Sequence, residues 1–577
     1  MSSISDFSSI DGARGEAERR GGSGGFARGE PTRPEPVTGD GTPGVGGISR
    51  RRWLELMGAS LALAGVGGCR WQREEIVPLA ERPVESVPGQ PQWYSTVADV
   101  AGAAVGLVVK TVDGRPIKVD GNARHPQSLG GSTPHLQASI LQLYDPDRSR
   151  HVRQRTPGGG QARDWERFVG WLEDRLRPLK ERRGAGLAVL AEACSSPTLM
   201  GLRQRLLDAM PEAEWYEYEP LADDNLREGA RLAFGKPYRM HLALDRADVI
   251  VSLEADLLHF HPASLQYARQ CAVGRRPESG SMSRLYVAES GLSVTGAAAD
   301  HRLALPSGAV ADMAVALEGA LRDTPPGGFE GTEPAARFLQ ATAADLAAHR
   351  GRSAVVAGPG QPPEVHWCVH RINRLLDNVG NAVLYFPDPQ PERLSHGEAI
   401  RTLVEGMNAG RVQMLVILGG NPVYNAPADL EFAQALTKVA ASVHLSQYED
   451  ETSQRCQWHV PQAHFLEAWG DGRSWDGTYS VAQPLIEPLG GGRSALEVVA
   501  AMLGQPDANA YELVRRTFRE LSGVSSEDEE ALWRETLHEG LLANSAWKAE
   551  TPRAAEPPEP LPRARLPEPG RPRGPGG

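Results

Sequence analysis

Cysteine is the first scarcity. The 577-residue chain has five, Cys69, Cys194, Cys271, Cys368 and Cys456, and no two stand at the close spacing of a metal clip. This excludes an iron–sulfur or zinc motif built from the chain's own thiolates and leaves Cys194 to Cys456 to pack as small buried residues. Positive charge is short as well: 61 Lys and Arg face 73 Asp and Glu, a net charge of −12, which argues against a nucleic-acid partner. An ordinary acidic surface and a face for a basic partner such as a cytochrome both fit that balance. The apolar run Leu56 to Gly68 is too short to span a bilayer. What is there, 40% hydrophobic and 6% aromatic residues, suits a globular body of about three or four domains.

The two ends have another character. Residues 1–48 are rich in Gly, Ser, Pro and charge, and 551–577 form a Pro/Arg/Glu tail; neither can bury enough apolar surface to offset chain entropy, so both are expected to be disordered. After the leader come Arg50 and Arg51, then a weakly apolar run of small residues ending at Cys69. A twin-arginine pair before such a run is an export signal of the twin-arginine type. Val66-Gly67-Gly68-Cys69 reads as a lipobox that would lipidate Cys69 and anchor the mature chain; the alternative is an ordinary signal whose cysteine is incidental.

Within the body, Val105 to Val112, the turn Asp113-Gly114 and Arg115 to Val119 predict a β-hairpin. Asp164 to Arg182 is an amphipathic helix and Leu187 to Ala191 a buried strand. Pro197 opens a helix capped by Ser195 or Ser196. The centre of the chain is Val412 to Trp469. Val412 to Leu418 is an apolar run of strand length closed by Gly419-Gly420-Asn421-Pro422, residues that tolerate a tight turn and stop a ladder. A helix-like stretch, Pro427 to Ala440, and a second strand, Ser442 to Leu445, complete a βαβ unit. Ligands of open α/β sheets lie beyond the carboxyl ends of the strands, so Gly419 to Asn421 and Gln447 to Thr452 are expected on one rim. By itself the turn fits a structural role as well as phosphate binding.

The order of these pieces resembles the molybdopterin oxidoreductase superfamily. The resemblance is carried by Leu418 to Pro422, Glu451-Thr452-Ser453, Val460 to Ala463, Leu466 to Asp471 and, in the small domain, Asp113 to Pro126 and Leu143 to Arg148. It implies an α/β, multi-lobed molybdopterin-oxidoreductase-like fold with mostly parallel sheets and a small β-rich N-terminal domain. The expected segments are 1–48 leader, 49–69 signal, 70–150 small β-rich domain, 151–345 α/β lobe, 346–450 α/β lobe with the glycine rim, 451–550 C-terminal segment with helices, and 551–577 tail.

The departures from the family are chemical. Trp93 to Val97 and Gly130 to His135 stand where the family carries cluster cysteines. His125 and His135 read as hydrogen-bonded loop residues rather than ligands. Near the place of the molybdenum ligand stand only Asp223 and Asp224, expected to face water. In the stretch Ala247 to Asp256 the family's turn glycine is Glu254, which adds a repelling charge where a phosphate would approach. Trp475-Asp476-Gly477-Thr478 replaces an Asn-x-x-Gly-Arg piece.

A narrower resemblance, over roughly residues 49 to 548, is to the exported large subunit of alternative complex III, a bacterial quinol:electron-acceptor oxidoreductase. It rests on the signal, Ile76-Val77-Pro78, Val87-Pro88-Gly89, Ala138 to Leu141 and Trp533 to Gly540. It implies a cofactor-free scaffold with no catalytic residue and no metal. Its partners would be an iron–sulfur (ferredoxin-like) subunit on a separate polypeptide, multihaem cytochrome c subunits and integral membrane quinol-binding subunits, at the periplasmic face. The alternative is a catalytic enzyme that binds molybdopterin guanine dinucleotide through Gly419, Gly420, Asn421, Glu451 and Thr452.

Overall fold

The computed structural model describes residues 87–156, 159–276, 278, 280, 282–322 and 332–555. The leader, Arg50, Arg51 and Cys69 lie outside the described residues, as do residues 556–577. Within the segment expected to be tail, Ala555 N–H donates to the Ala233 carbonyl (2.9 Å), and just before it Glu550 N–H donates to the Tyr385 carbonyl (2.8 Å).

The small domain is an antiparallel meander of β1 (Pro91–Val100), β2 (Ala103–Val112) and β3 (Arg115–Gly121). Asp113 and Gly114 take φ of 49° and 79°, the left-handed pair that a two-residue hairpin needs. Ala101 and Gly102 make the β1–β2 turn the same way, at 51° and 72°. Alanine is an unusual choice there, so the sequence does not announce this turn. Leu107, Val109 and Val119 are buried on one face against Leu136 and Leu143 of the helix Pro134–Leu143.

The first lobe is a seven-stranded sheet. Its parallel strands are β6 (Leu187–Ala191), β7 (Glu214–Glu217), β14 (Met414–Leu418), β15 (Ala441–Ser446) and β16 (Trp458–Pro461), and β4 (Val152–Thr156) and β5 (Gly159–Arg163) add antiparallel to the β16 edge. The order is β5-β4-β16-β15-β14-β6-β7. Every residue of β6, β14 and β15 is buried, as the continuous apolar runs require of strands covered on both faces. The second lobe is an all-parallel sheet of β9 (Val249–Leu253), β10 (Arg284–Glu289), β11 (His301–Ala304) and β12 (Ser353–Ala357), ordered β11-β10-β9-β12. Beside it β8 (Tyr238–Leu242) pairs antiparallel with β13 (Val383–Pro387), and β17 (Gly470–Arg473) and β18 (Tyr479–Ala482) form a late hairpin.

The segments 151–345 and 346–450 therefore interleave: β12 pairs with β9 across that boundary, and β14 pairs with β6. Parallel neighbours need not be consecutive in sequence, and the second lobe is threaded into the first between β7 and β14. After a helical turn at Pro422–Asn425, the expected helix from Pro427 to Ala440 is a broken path instead: a 3-10 turn at Ala428–Leu430 and a short helix Phe432–Leu436. Glu431 sits between the last two at φ 50°, a left-handed break that no straight helix can pass.

Candidate functional site

The first rim forms where β14 and β15 end. Gly419 and Gly420 take consecutive left-handed conformations (φ 80° and 70°), so glycine is required at both. Gly419 N–H pairs with the Leu445 carbonyl, which brings the two loops together. Asn421 Oδ1 accepts from Thr452 N–H (3.2 Å) and Thr452 Oγ1 (2.8 Å), and Asn421 Nδ2 donates to Glu451 Oε2 (2.7 Å). Thr452 Oγ1 also accepts from Val423 N–H (3.0 Å). All five sequence candidates share one rim, and the polar groups of Asn421 and Thr452 close on each other.

Two glutamates that sequence reasoning passed over complete it. Glu192 follows β6, and a Cβ on Gly419 would lie 2.1 Å from its Oε2, so the carboxylate rests against the glycine turn. Gly420 N–H donates to it. Glu219, just beyond β7, accepts from Ala193 N–H (3.0 Å). The cavity among Glu192, Glu219, Gly419, Gly420, Asn421 and Asn425 measures about 30 Å³, room for roughly one water. Glu192 keeps contact with solvent but is crowded by protein on its other sides; this desolvation raises its pKa, with nearby Asp99 adding to it. Glu219, part-buried, is pushed to about 7 by burial and then by the Glu192 charge. Both glutamates stand directly after short apolar runs or strands, and position at a strand's carboxyl end is the signal that could have found them.

The second rim has its own carboxylate. Glu254 follows β9 at φ 59°. Its Oε1 accepts from Ser290 N–H (3.2 Å) and Ser290 Oγ (2.5 Å), and its Oε2 from Ser307 Oγ (2.5 Å) and Gln361 Nε2 (2.5 Å). Partial burial pushes its pKa up, but these hydrogen bonds outweigh that and leave it below the usual glutamate value. Asp256 accepts from Thr295 N–H (3.0 Å) and Thr295 Oγ1 (2.6 Å), fixing the same loop.

At the third corner, Trp475 N–H donates to Gln127 Oε1 (2.9 Å) and its indole N–H to the Met240 carbonyl (3.1 Å). The Arg239 guanidinium lies 4.9 Å from the Trp475 ring centre and 5.6 Å from that of Trp547. A Cβ on Gly477 would fall 2.2 Å from the Trp547 ring, so glycine there admits this stack. His125 is buried and its Nδ1 accepts from Gly106 and Gln127 N–H (3.2 Å each).

Asp223 and Asp224, expected to face water, are part-buried and engaged. Arg393 lies 3.1 Å from Asp223, and Asp224 accepts from His396 N–H (2.8 Å) and Gly397 N–H (3.1 Å) at the start of the helix His396–Asn408. With His396 they could offer three ligand atoms within 4.8 Å of one another, but a cation would compete with Arg393. Cys271, Cys368 and Cys456 are buried as expected, and Cys194 is only partly so. Burial raises all four thiols, Cys271 to about 11 and Cys456 to about 12, so none is a thiolate near neutrality.

The chain is similar in sequence to a molybdopterin-binding-like and to a molybdopterin-containing reductase subunit, and in fold to a solved hydratase. Its fold matches that of acetylene hydratase from Pelobacter acetylenicus with a TM-score of 0.60, over 76% of this chain and 73% of that one at 12% identity. In sequence it is similar to the menaquinone reductase molybdopterin-binding-like subunit of Nitratidesulfovibrio vulgaris, 22% identical over 506 residues, 79% of this chain and 72% of that protein. A shorter stretch of 147 residues is 27% identical to the arsenate respiratory reductase molybdopterin-containing subunit of a Shewanella species, covering 23% of this chain and 17% of that protein. No protein-family model matches the chain.

Proposed function

We propose that the chain is a cofactor-free scaffold subunit of a membrane-associated respiratory quinol:acceptor oxidoreductase of the alternative complex III kind. The observation that carries this reading is the closure of the first rim. A pyranopterin dinucleotide needs free backbone and side-chain donors at the glycine turn. Here Asn421, Glu451 and Thr452 bond to one another, Glu192 lies on the turn, and the remaining cavity is about 30 Å³. The residues present do not fit the group. Ionisation of Glu192 or Glu219 would also set negative charge against a diphosphate.

On this reading the chain is redox-silent and organises others: an iron–sulfur subunit, multihaem cytochromes c and quinol-binding membrane subunits. Similarity to a menaquinone reductase subunit supports a place in such an assembly. Export through Arg50 and Arg51 and lipidation at Cys69 would put it on the periplasmic face of the membrane. Among the described residues no helix is long and apolar enough to cross a membrane, so attachment would fall to the lipid and the partners. The other reading, a molybdopterin enzyme lacking the N-terminal cluster, draws on the similarity to a molybdopterin-containing subunit.

Elemental mass spectrometry and pterin fluorescence on the isolated chain and on the co-purified complex separate the two. The expected result is no molybdenum, tungsten or pterin on the chain, with iron only in the complex. Stoichiometric molybdenum or tungsten on the chain would overturn the scaffold reading.

A further inference from the structure

The second rim carries something beyond closure. We propose that Glu254 is a built-in anion: its carboxylate fills a latent oxyanion site made by Ser290 N–H, Ser290 Oγ, Ser307 Oγ and Gln361 Nε2. This rests on the cofactor-free reading above and extends it to a slot that the sequence candidates do not touch.

Four donors converge on the two oxygens of Glu254 at 2.5 to 3.2 Å, and they come from separate segments: the loop after β10, the turn Ser307–Ala309, and the loop after β12. The set sits beyond the carboxyl ends of parallel strands, where open α/β sheets bind ligands. All four donors are neutral, and it is hydrogen bonds from Ser290, Ser307 and Gln361 that hold the Glu254 carboxylate in its ionised form. Neutral N–H and O–H groups gathered on one oxyanion are the chemistry of a phosphate or sulfate cradle. Gln361 is 1% exposed and its Oε1 has no partner among the described residues; its amide nitrogen donates to Glu254 Oε2 at 2.5 Å and also lies 3.3 Å from the Ser307 carbonyl and 3.2 Å from the Ser307 hydroxyl, which ties the two donors of that oxygen together.

The backbone supports the same reading. Glu254 keeps a left-handed conformation that disfavours any residue with a Cβ. A Cβ on Gly358 would meet the Glu254 carbonyl at 1.9 Å, so the β12 loop approaches this turn as closely as backbone allows. A strained glutamate persists only when its surroundings over-determine it. Here the four hydrogen bonds do so. The charge that sequence reading treats as repelling a phosphate takes the phosphate's place.

The test uses the full chain with the variant Glu254→Gly, which restores a residue suited to the turn and leaves the donors empty, and inorganic phosphate as the probe. Melting is followed in a buffer free of other oxyanions. The relief of backbone strain and the loss of the carboxylate oppose each other in E254G, so the readout is its response to phosphate: its melting temperature is expected to rise with the logarithm of phosphate concentration. Wild type and E254Q, whose side chains still occupy the slot, are expected not to respond. An E254G that ignores phosphate overturns the proposal, and so does a wild type that responds equally.

Should E254G fail to fold, Ser307→Ala decides. With one donor lost, the carboxylate is less well held and the acid-unfolding midpoint is expected to move to higher pH; an unmoved midpoint overturns the proposal. Pterin on the wild-type chain together with a phosphate-responsive E254G would overturn the cofactor-free reading alone.

Discussion

Replacing Glu467 by alanine is expected to lower unfolding stability by about 3–5 kcal/mol, the scale for stranding one partner of a buried ion pair. Arg148 approaches Glu467 through both terminal nitrogens, at 2.5 and 3.1 Å, with side chains only 10% and 1% exposed. Glu467 also accepts from the backbone N–H groups of His464 (2.8 Å) and Leu489 (2.9 Å), and Arg148 donates to the Leu143 carbonyl (2.8 Å). The alanine variant leaves a guanidinium and two N–H groups without their acceptor. Arg148→Lys should recover only part of the loss, because an ammonium cannot make the two-pronged contact. Urea unfolding measures both, and a Glu467→Ala midpoint within error of wild type would rule the argument out.

The pH dependence has a definite sign. Burial pushes the Glu467 pKa up, but the Arg148 and backbone hydrogen bonds win and hold it below the ordinary value. Its contribution is therefore present above the unfolded glutamate pKa and lost as pH falls through the lower folded value.

Glu219→Gln is expected to act in the opposite direction. Glu219 is raised to about 7, first by burial and then by Glu192. A raised carboxyl contributes stability that is present below the unfolded pKa and lost as pH rises through the folded one, here about 7. Glutamine keeps an acceptor for Ala193 N–H without the ionisation. The variant should approach wild type as pH falls below the unfolded value, near pH 4, and exceed it near pH 8 by on the order of 3 kcal/mol. Because Glu192 and Glu219 interact, the wild-type transition belongs to the pair. Unfolding midpoints across pH 4 to 8 read this directly, and parallel profiles for wild type and variant would refute it.

What the sequence made legible was local. Leu187 to Ala191 and Met414 to Leu418 announce themselves because strands buried on both faces must be apolar throughout. The Asp113-Gly114 hairpin and the Ser196 cap, which accepts from Leu199 N–H, follow from side chains suited to those conformations. The glycine turn lies beside Glu451 and Thr452 because β14 and β15 are consecutive and parallel, an adjacency that can be read from the chain in order. What stayed hidden was long-range. Arg148 and Glu467 lie in separately recognised pieces, and nothing in either announces the other. Glu192 meets Gly419 only because β6 and β14 are sheet neighbours, which one chain read in order does not reveal. Asp223 and Asp224 look like surface acids until Arg393 and the start of the His396–Asn408 helix are brought beside them.

The threading of the second lobe between β7 and β14 has a consequence for birth on the ribosome. Once β6 and β7 emerge, their neighbour β14 is still to be translated, a delay of roughly 10–40 s at ordinary synthesis rates. During that interval Leu187 to Ala191 offers an apolar edge with no strand to receive it, an invitation to chaperones or to aggregation. The strands from Tyr238 to Pro387 emerge in one continuous stretch and can assemble while the edge waits. Arrival of Met414 to Leu418 then joins an early half-sheet to a late one, so nascent chains released before that point keep the edge bare however well the inserted lobe has folded.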